Sequence, residues 1–276
     1  MPTRVAHREP ALPAKVLACY YASWDTGTYR ITDVPAEFNV IHLFHAKPDG
    51  NRVDGNWNNV GNGSFRFEHH GEVTSRQVQR CRARGQKVIL TVGGQHAGFN
   101  FDTRTKSRNF VDSFRAMHHA FGGLDGCDFN NFEAGTGSSA AEMIWICRQL
   151  KHLYGPEFAI TAPPQPNWLE DRAMLRAMSA AGVLSWAAPQ FYDWEGFSAV
   201  GFISSRIDDW VVDLGAEKVV LGLTADYPNG PSLQDCIREW DLVKARHPRV
   251  RGMYCWNAQF NLRGGNTWGR TMKARL

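Results

Sequence analysis

From Val16 onward, short runs rich in β-branched and aromatic residues alternate with stretches of helical spacing, and no other feature limits the fold so tightly. The strand-like runs are 16–21, 39–46, 87–94, the stretch from Leu124, 158–163, 183–192, 219–224 and 250–256. Helical texture falls between most of them, at 73–84, 110–121, 140–154, 168–180, 198–214 and 233–247, with a weak tail helix at 269–276. Strands separated by helices make a parallel sheet, and eight such units close into a (β/α)8 TIM barrel, a fold that takes about 250 residues. The chain has 276 residues and no Ser/Gly/Pro-rich divide, so the expected organisation is a flexible N-terminal arm over 1–15 and one α/β barrel domain over 16–276. An open, doubly wound sheet would need a glycine-rich turn after its first strand to hold a dinucleotide. Tyr21-Ala22-Ser23-Trp24 offers none.

Local punctuation agrees with this division. Thr74 or Ser75 is placed to cap the first helix and Gly85 to end it, while Gly155-Pro156 stops the helix before it. A long Gly/Asn-rich insertion follows the second strand, from Lys47 to Gly71, and carries Trp57, Phe65 and Phe67. Loops of that length inside a compact domain are usually functional or disordered, and the aromatics suggest a wall of a binding cleft.

Composition excludes several classes. The net charge of +4 comes from 31 basic and 27 acidic residues that are dispersed, whereas nucleic-acid binding calls for a concentrated basic stripe. The run Arg80-Cys81-Arg82-Ala83-Arg84 reads as a helix end, where cations suit the dipole. Six cysteines show no C-x-x-C pair and no metal-ligand spacing, and Cys19, Cys127 and Cys255 read as small buried hydrophobes. No apolar run approaches membrane-spanning length, and the opening decapeptide has charges where a signal peptide has its apolar core. The expectation is synthesis in the cytoplasm without membrane insertion.

In a parallel barrel the reacting groups sit at the C-terminal ends of the strands. The stretch Leu124-Asp125-Gly126-Cys127-Asp128-Phe129-Asn130-Asn131-Phe132-Glu133 gathers three carboxylates and two amides at such a place. Ten Trp and sixteen Phe exceed core needs and suit a site that stacks on the flat apolar faces of sugar rings.

Further motifs fall in order along the strand ends. Thr91-Val92-Gly93-Gly94 resembles the S-x-G-G signature of glycoside hydrolase family 18, and Asp125-Gly126-Cys127-Asp128 opens that family's D-G-x-D-x-D-x-E signature. Ala162-Pro163-Pro164-Gln165, Pro189-Gln190-Phe191-Tyr192-Asp193 and Arg251-Gly252-Met253-Tyr254-Cys255-Trp256 are similar to its fifth, sixth and last strand ends. The resemblance covers nearly everything from Val16 to Trp256 and implies a chitinase, a chitinase-like lectin or an endo-β-N-acetylglucosaminidase.

It also implies a chemistry that requires no metal or organic cofactor. Glu133 would protonate the glycosidic oxygen, and the substrate's own 2-acetamido carbonyl would be the nucleophile. Asp128 would be an inner charge and Tyr192 the acetamide's hydrogen-bond partner, with Gln190 and Asp193 shaping the pocket and Trp256 forming its stacking floor. Asn130, Gly93, Gly94, Tyr21, Trp24 and Gln165 complete the expected substrate-binding set.

The signature departs from the pattern at its most informative point. Counted from Asp125, the family has aspartate at position 130 and glutamate at 132, where this chain has Asn130 and Phe132, and Glu133 comes one residue late. Side chains alternate faces along a strand, so Glu133 points away from Asp128 unless a bulge or the strand's end realigns it. Two functions follow. One is a retaining hydrolase of β-1,4-linked N-acetylglucosamine glycans, and the other a noncatalytic glycan-binding relative using the same cleft. A chain made without a leader that meets an extracellular polymer needs another way out, and one reading makes it a module of a phage tail or injection apparatus.

Other candidates carry plainer readings. His42 and His45 read as satisfied core histidines. Trp24, Trp57, Trp168 and Trp194 lie at or after strand ends, where sugar subsites and packing under loops compete. Asp226 and Tyr227 follow the seventh strand, within reach of a ligand.

Overall fold

The computed structural model describes residues 11–49, 58–59, 61–94, 97–130, 137–193, 196, 199–225, 227 and 230–276. Eight parallel strands form the barrel: β1 (Val16–Ala22), β2 (Val40–Pro48), β3 (Lys87–Gly93), β4 (Gly126–Asn130), β5 (Ala159–Ala162), β6 (Trp186–Ala187), β7 (Val220–Gly222) and β8 (Gly252–Cys255). Sequence neighbours pair in parallel from β1 to β6 and from β7 to β8, and β8 pairs back with β1. Bridges from Ala187 to Val219 and from Gln190 to Gly222 close the seam between β6 and β7. That seam is thin because Pro189 has no N–H to give to a ladder, so β6 shrinks to two residues from the expected ten-residue run.

The surrounding helices are α1 (Ser75–Ala83), α2 (Arg104–Ala120), α3 (Ala140–Tyr154), α4 (Leu169–Ala180), α5 (Phe202–Leu214) and α6 (Leu233–Arg246). Between β1 and β2 there is only a 3-10 turn, Ile31–Asp33. After β8 come two short helices, α7 (Ala258–Arg263) and α8 (Thr267–Lys273), where the sequence suggested one weak helix. The difference is a cap: the Asn257 side chain accepts the Phe260 N–H at 2.9 Å and starts α7. Similarly, α2 begins six residues before its apolar spacing becomes visible. The Thr103 side chain caps it, and its first turn is polar.

Strand alternation divides the core in two. Val16, Ala18, Tyr20, Val40, Ile89, Ala159, Trp186, Val220 and Tyr254 point into the barrel. Leu17, Cys19, Tyr21, Ile41, Leu43 and Val88 point outward against the helices. The insertion after β2 contributes to this outer layer. Phe65 and Phe67 are 4% and 5% exposed, and Phe65 meets Phe99, Phe101 and Phe110 at ring separations of 5.2 to 6.2 Å. These two phenylalanines are therefore core and not cleft wall, while Trp57 lies outside the described residues.

The opposite end of β4 is structural. Asp125 accepts from Arg82 Nε at 3.0 Å and from the Val88 N–H at 2.9 Å, which ties the N-terminal ends of β3 and β4 to α1. Lys15 donates to the carbonyls of Pro248 and Val250, and Arg251 to that of Pro13, so the chain just before β1 is tied to the entry of β8.

Candidate active site

The ladder registers build the site. Asp128 of β4 is the register partner of Thr91 on β3 and of Thr161 on β5, and alternation turns all three into the lumen. Asp128 is fully buried and accepts three hydroxyls: Thr161 at 2.6 Å, Thr91 at 2.9 Å and Tyr20 at 3.0 Å. His42 Nδ1 lies 3.6 Å away, and its ring stacks on Tyr20 at 4.5 Å. Burial alone pushes the carboxyl up, but His42 and the Thr161 and Thr91 hydroxyls outweigh it and hold Asp128 below the usual carboxylate range. The barrel thus keeps an anion in its interior. His42 is a core histidine as expected, yet one that faces this anion.

Tyr192 shares the lumen. Its hydroxyl is 3.0 Å from that of Tyr254, which reaches the Ala188 carbonyl at 3.3 Å. The Tyr254 ring packs edge-on against Tyr20 at 5.1 Å, so a continuous line of phenols joins Tyr192 to the Asp128 carboxylate. Burial raises all three phenols well above their usual range and keeps them protonated, as donors. Tyr20, Thr91, Thr161 and Tyr254 were not singled out from the sequence. The signal that finds them is parity: each lies an even step from a lumen-facing residue on its own strand or in register with one.

Trp256, half-buried at the end of β8, lies 5.6 Å from Tyr20, 4.8 Å from Phe44 and 6.3 Å from Trp24, ring to ring. Trp24 is 50% exposed and completes an aromatic rim. Gly93 and Gly94 act by close approach. A Cβ on Gly93 would sit 2.0 Å from the Asn130 carbonyl oxygen, and one on Gly94 2.5 Å from the Phe44 ring, and both residues have positive φ. His45 bonds through Nδ1 to the Gly93 carbonyl, and burial lowers it to about 4, so it is neutral at pH 7.

The other expected residues divide. Asn130 is buried at the end of β4, and its carbonyl accepts the Gly94 N–H at 3.1 Å. Gln190 spends its amide nitrogen on the Pro163 carbonyl, tying β6 to the end of β5. Gln165 accepts the Asn167 N–H at 2.6 Å within its own turn. Asp193 follows Tyr192 at φ 68°, exposed on the rim, with its carboxyl raised by the protein packed around it. Tyr21 is misplaced in the expectation: odd positions of β1 face the helices, and its hydroxyl bonds to the Tyr29 carbonyl at 2.8 Å. Its neighbour Tyr20 takes the lumen. Trp168 caps α4 at the surface, and Tyr227 meets Tyr192 edge-on at 6.1 Å. Glu133, Phe132, Trp194 and Asp226 lie outside the described residues. Among the described residues no group of His, Cys, Asp and Glu has metal-binding geometry, and no helix is long and apolar enough to cross a membrane.

The buried anion, the phenol donors and the indole rim all lie at the C-terminal side of a parallel (β/α)8 barrel, the face that carries the reacting groups in this fold. No family model matches the chain. Chitinase ChiA of Flavobacterium johnsoniae is 27% identical over 184 residues, 58% of this chain and 12% of that protein. The matched stretches make up 12% and 31% of the first two curated relatives. A family 18 chitinase from Chromobacterium violaceum superposes with a TM-score of 0.77 at 18% identity, over 96% of this chain and 84% of that one. A xylanase-α-amylase inhibitor protein, solved with trehalose, superposes at 0.73 and 16% identity over 94% and 97%. The chain is thus similar in part of its sequence to chitinases and shares its fold with solved family 18 chitinases.

Proposed function

We propose that the lumen handles β-1,4-linked N-acetylglucosamine glycans and cleaves them with retention, using the substrate's acetamido group as nucleophile. The observation that carries this is Asp128, held as an anion by three hydroxyls, in the same lumen as the Tyr192 phenol and beneath the Trp256 and Trp24 rim. As the glycosidic bond breaks, C1 gains positive charge and the acetamido oxygen closes on it. A fixed negative charge below the ring favours that change, and a phenol donor orients the acetamide. Glu133 is the proton donor to the leaving oxygen in this reading, and the indoles present flat faces to the pyranose rings.

A second reading, glycan binding without turnover, is favoured by Asn130. It is buried at the end of β4 where the resemblance has aspartate, and an amide cannot carry that charge. A xylanase-α-amylase inhibitor protein of the same fold, solved in complex with trehalose, supports this reading. Incubation with chitotetraose and a fluorogenic chitobioside, comparing the wild type with Glu133→Gln, separates the two. Turnover that disappears in the variant supports the hydrolase. Binding without turnover in both supports the second reading, and turnover unchanged by Glu133→Gln removes Glu133 from its role.

A further inference from the structure

The end of the chain departs from the regular barrel plan, and the departure leaves a space. Where one long helix would cover the seam between β8 and β1, the six-residue α7 and seven-residue α8 meet at the Gly264–Gly265 turn, with Gln259 of α7 bonded to the Ala22 backbone of β1. Beneath them is a cavity of about 250 Å³. Protein interiors have few voids larger than a water molecule, so a space of this size is a pocket and not a packing fault. Asp128 is not among its lining residues, and among the described residues it shares Trp256 alone with the proposed lumen site.

Its lining has a definite chemistry. Trp256, Phe260 and Trp268 supply aromatic surface, and among the described residues no charged side chain lines it. Three polar side chains retain capacity after their internal bonds are counted. Thr224 Oγ1 accepts the Trp256 N–H at 2.7 Å, which leaves its own hydrogen to donate. Asn257 uses its oxygen on the Phe260 N–H, which leaves its NH2. Asn261 donates to Asn266 Oδ1 at 2.7 Å, which leaves its oxygen to accept. These two donors and one acceptor, together with the buried Trp268 Nε1–H that has no partner among the described residues, lie beside aromatic rings and match a neutral ring whose edge carries hydroxyls and whose face carries C–H groups. The volume falls below the roughly 300 to 1,000 Å³ of pockets for drug-sized ligands and suits one ring and not a chain of them.

We propose that this cavity is a second carbohydrate site, taking a single neutral pyranose, independent of any turnover in the lumen. Titration of the 15N-labelled full chain with N-acetylglucosamine and with methyl β-glucoside tests it. Saturable shifts in amides 256–268 are expected, with the affinity falling about tenfold in Phe260→Leu, which keeps the bulk but removes the flat face. Asn257→Ser, which retains a capping oxygen but loses the NH2, is expected to weaken binding as well. Tyr192→Phe, in the lumen, is expected to leave this titration unchanged. No shifts in 256–268 up to the sugars' solubility, or affinity unchanged in folded Phe260→Leu, overturns the proposal. Shifts confined to the surroundings of Asp128 and Tyr192 also overturn it while leaving the lumen reading intact.

Discussion

Thr161 Oγ1 donates to Asp128 Oδ1 at 2.6 Å across the β4–β5 ladder, where the two residues are register partners. This is the shortest of the three hydroxyl contacts on the buried carboxylate, and register alone sets it. Thr161→Val keeps the shape and removes the donor. Hydrogen bonds to charged groups contribute roughly 1.5 to 3 kcal/mol, and a loss in that range is expected at pH 7 by urea denaturation.

The same pair sets an acid limb. The folded carboxyl of Asp128 is depressed, so its contribution is present above the unfolded carboxylate pKa of about 3.9 and is lost as pH falls through the folded value. In Thr161→Val the depression is smaller, and the acid unfolding limb is expected to move to higher pH. Denaturation midpoints measured from pH 6 downward check this; an unmoved limb means that the hydroxyl does not support the charge.

His45 gives a separate pH dependence. Burial lowers it from 6.5 to about 4, so the fold favours the neutral ring. The stability this brings is complete above the unfolded value and is lost as pH falls from about 6.5 toward 4, up to ~3 kcal/mol. His118 is lowered to about 4 as well and adds loss of the same sign. His45→Phe is expected to flatten the stability profile in that window, a second substitution at His118 to flatten it further, and the residual slope includes His70, which burial also lowers.

These contacts show what could be read in advance. The barrel was legible because each strand and helix carries its own period, and glycines such as Gly85 and Gly155 stand where helices end. Asp128, Tyr192 and Trp256 were proposed from motifs on strand ends and Trp24 from its place after the first strand, and the structure places Asp128 and Tyr192 in one lumen with the two indoles near each other at 6.3 Å. Tyr21 was assigned to the site in place of Tyr20 because both are aromatic, both are buried, and only parity relative to the lumen distinguishes them. Thr91 and Thr161 acquire meaning only through inter-strand register, which no local pattern reports. Phe65 and Phe67 misled because an aromatic in a loop looks the same whether the loop lies over a cleft or folds back onto the core.

Gly93 and Gly85 share a positive φ but differ in surroundings. A Cβ on Gly85 meets nothing within 4 Å, whereas on Gly93 it would meet the Asn130 carbonyl oxygen at 2.0 Å. Gly85→Ala is expected to cost about 1 to 2 kcal/mol from the left-handed conformation alone. Gly93→Ala is expected to cost at least ~4 kcal/mol or to prevent folding. Equal costs in thermal or urea unfolding would show that β3 and β4 are not packed this closely.

Glu239 of α6 closes the start of α5. Its two oxygens accept the N–H groups of Gly201 at 2.7 Å and Ser204 at 2.9 Å, and its side chain is 1% exposed. No side chain of α5's own N-cap does this, because the cap is Gly201. Glu239→Ala leaves both donors without their acceptor and is expected to destabilise by roughly 2 to 3 kcal/mol in urea unfolding.

The central claim, that the Asp128 and Tyr192 lumen cleaves N-acetylglucosamine glycans with help from the substrate's acetamide, is tested most directly by following chitotetraose with the full chain by 1H NMR. The expected result is that newly formed reducing ends appear first as the β-anomer, with kcat reduced by about 10²-fold in Tyr192→Phe, the scale of one lost oxyanion-type donor. First appearance of the α-anomer, or a tetrasaccharide that is never cleaved, would contradict it.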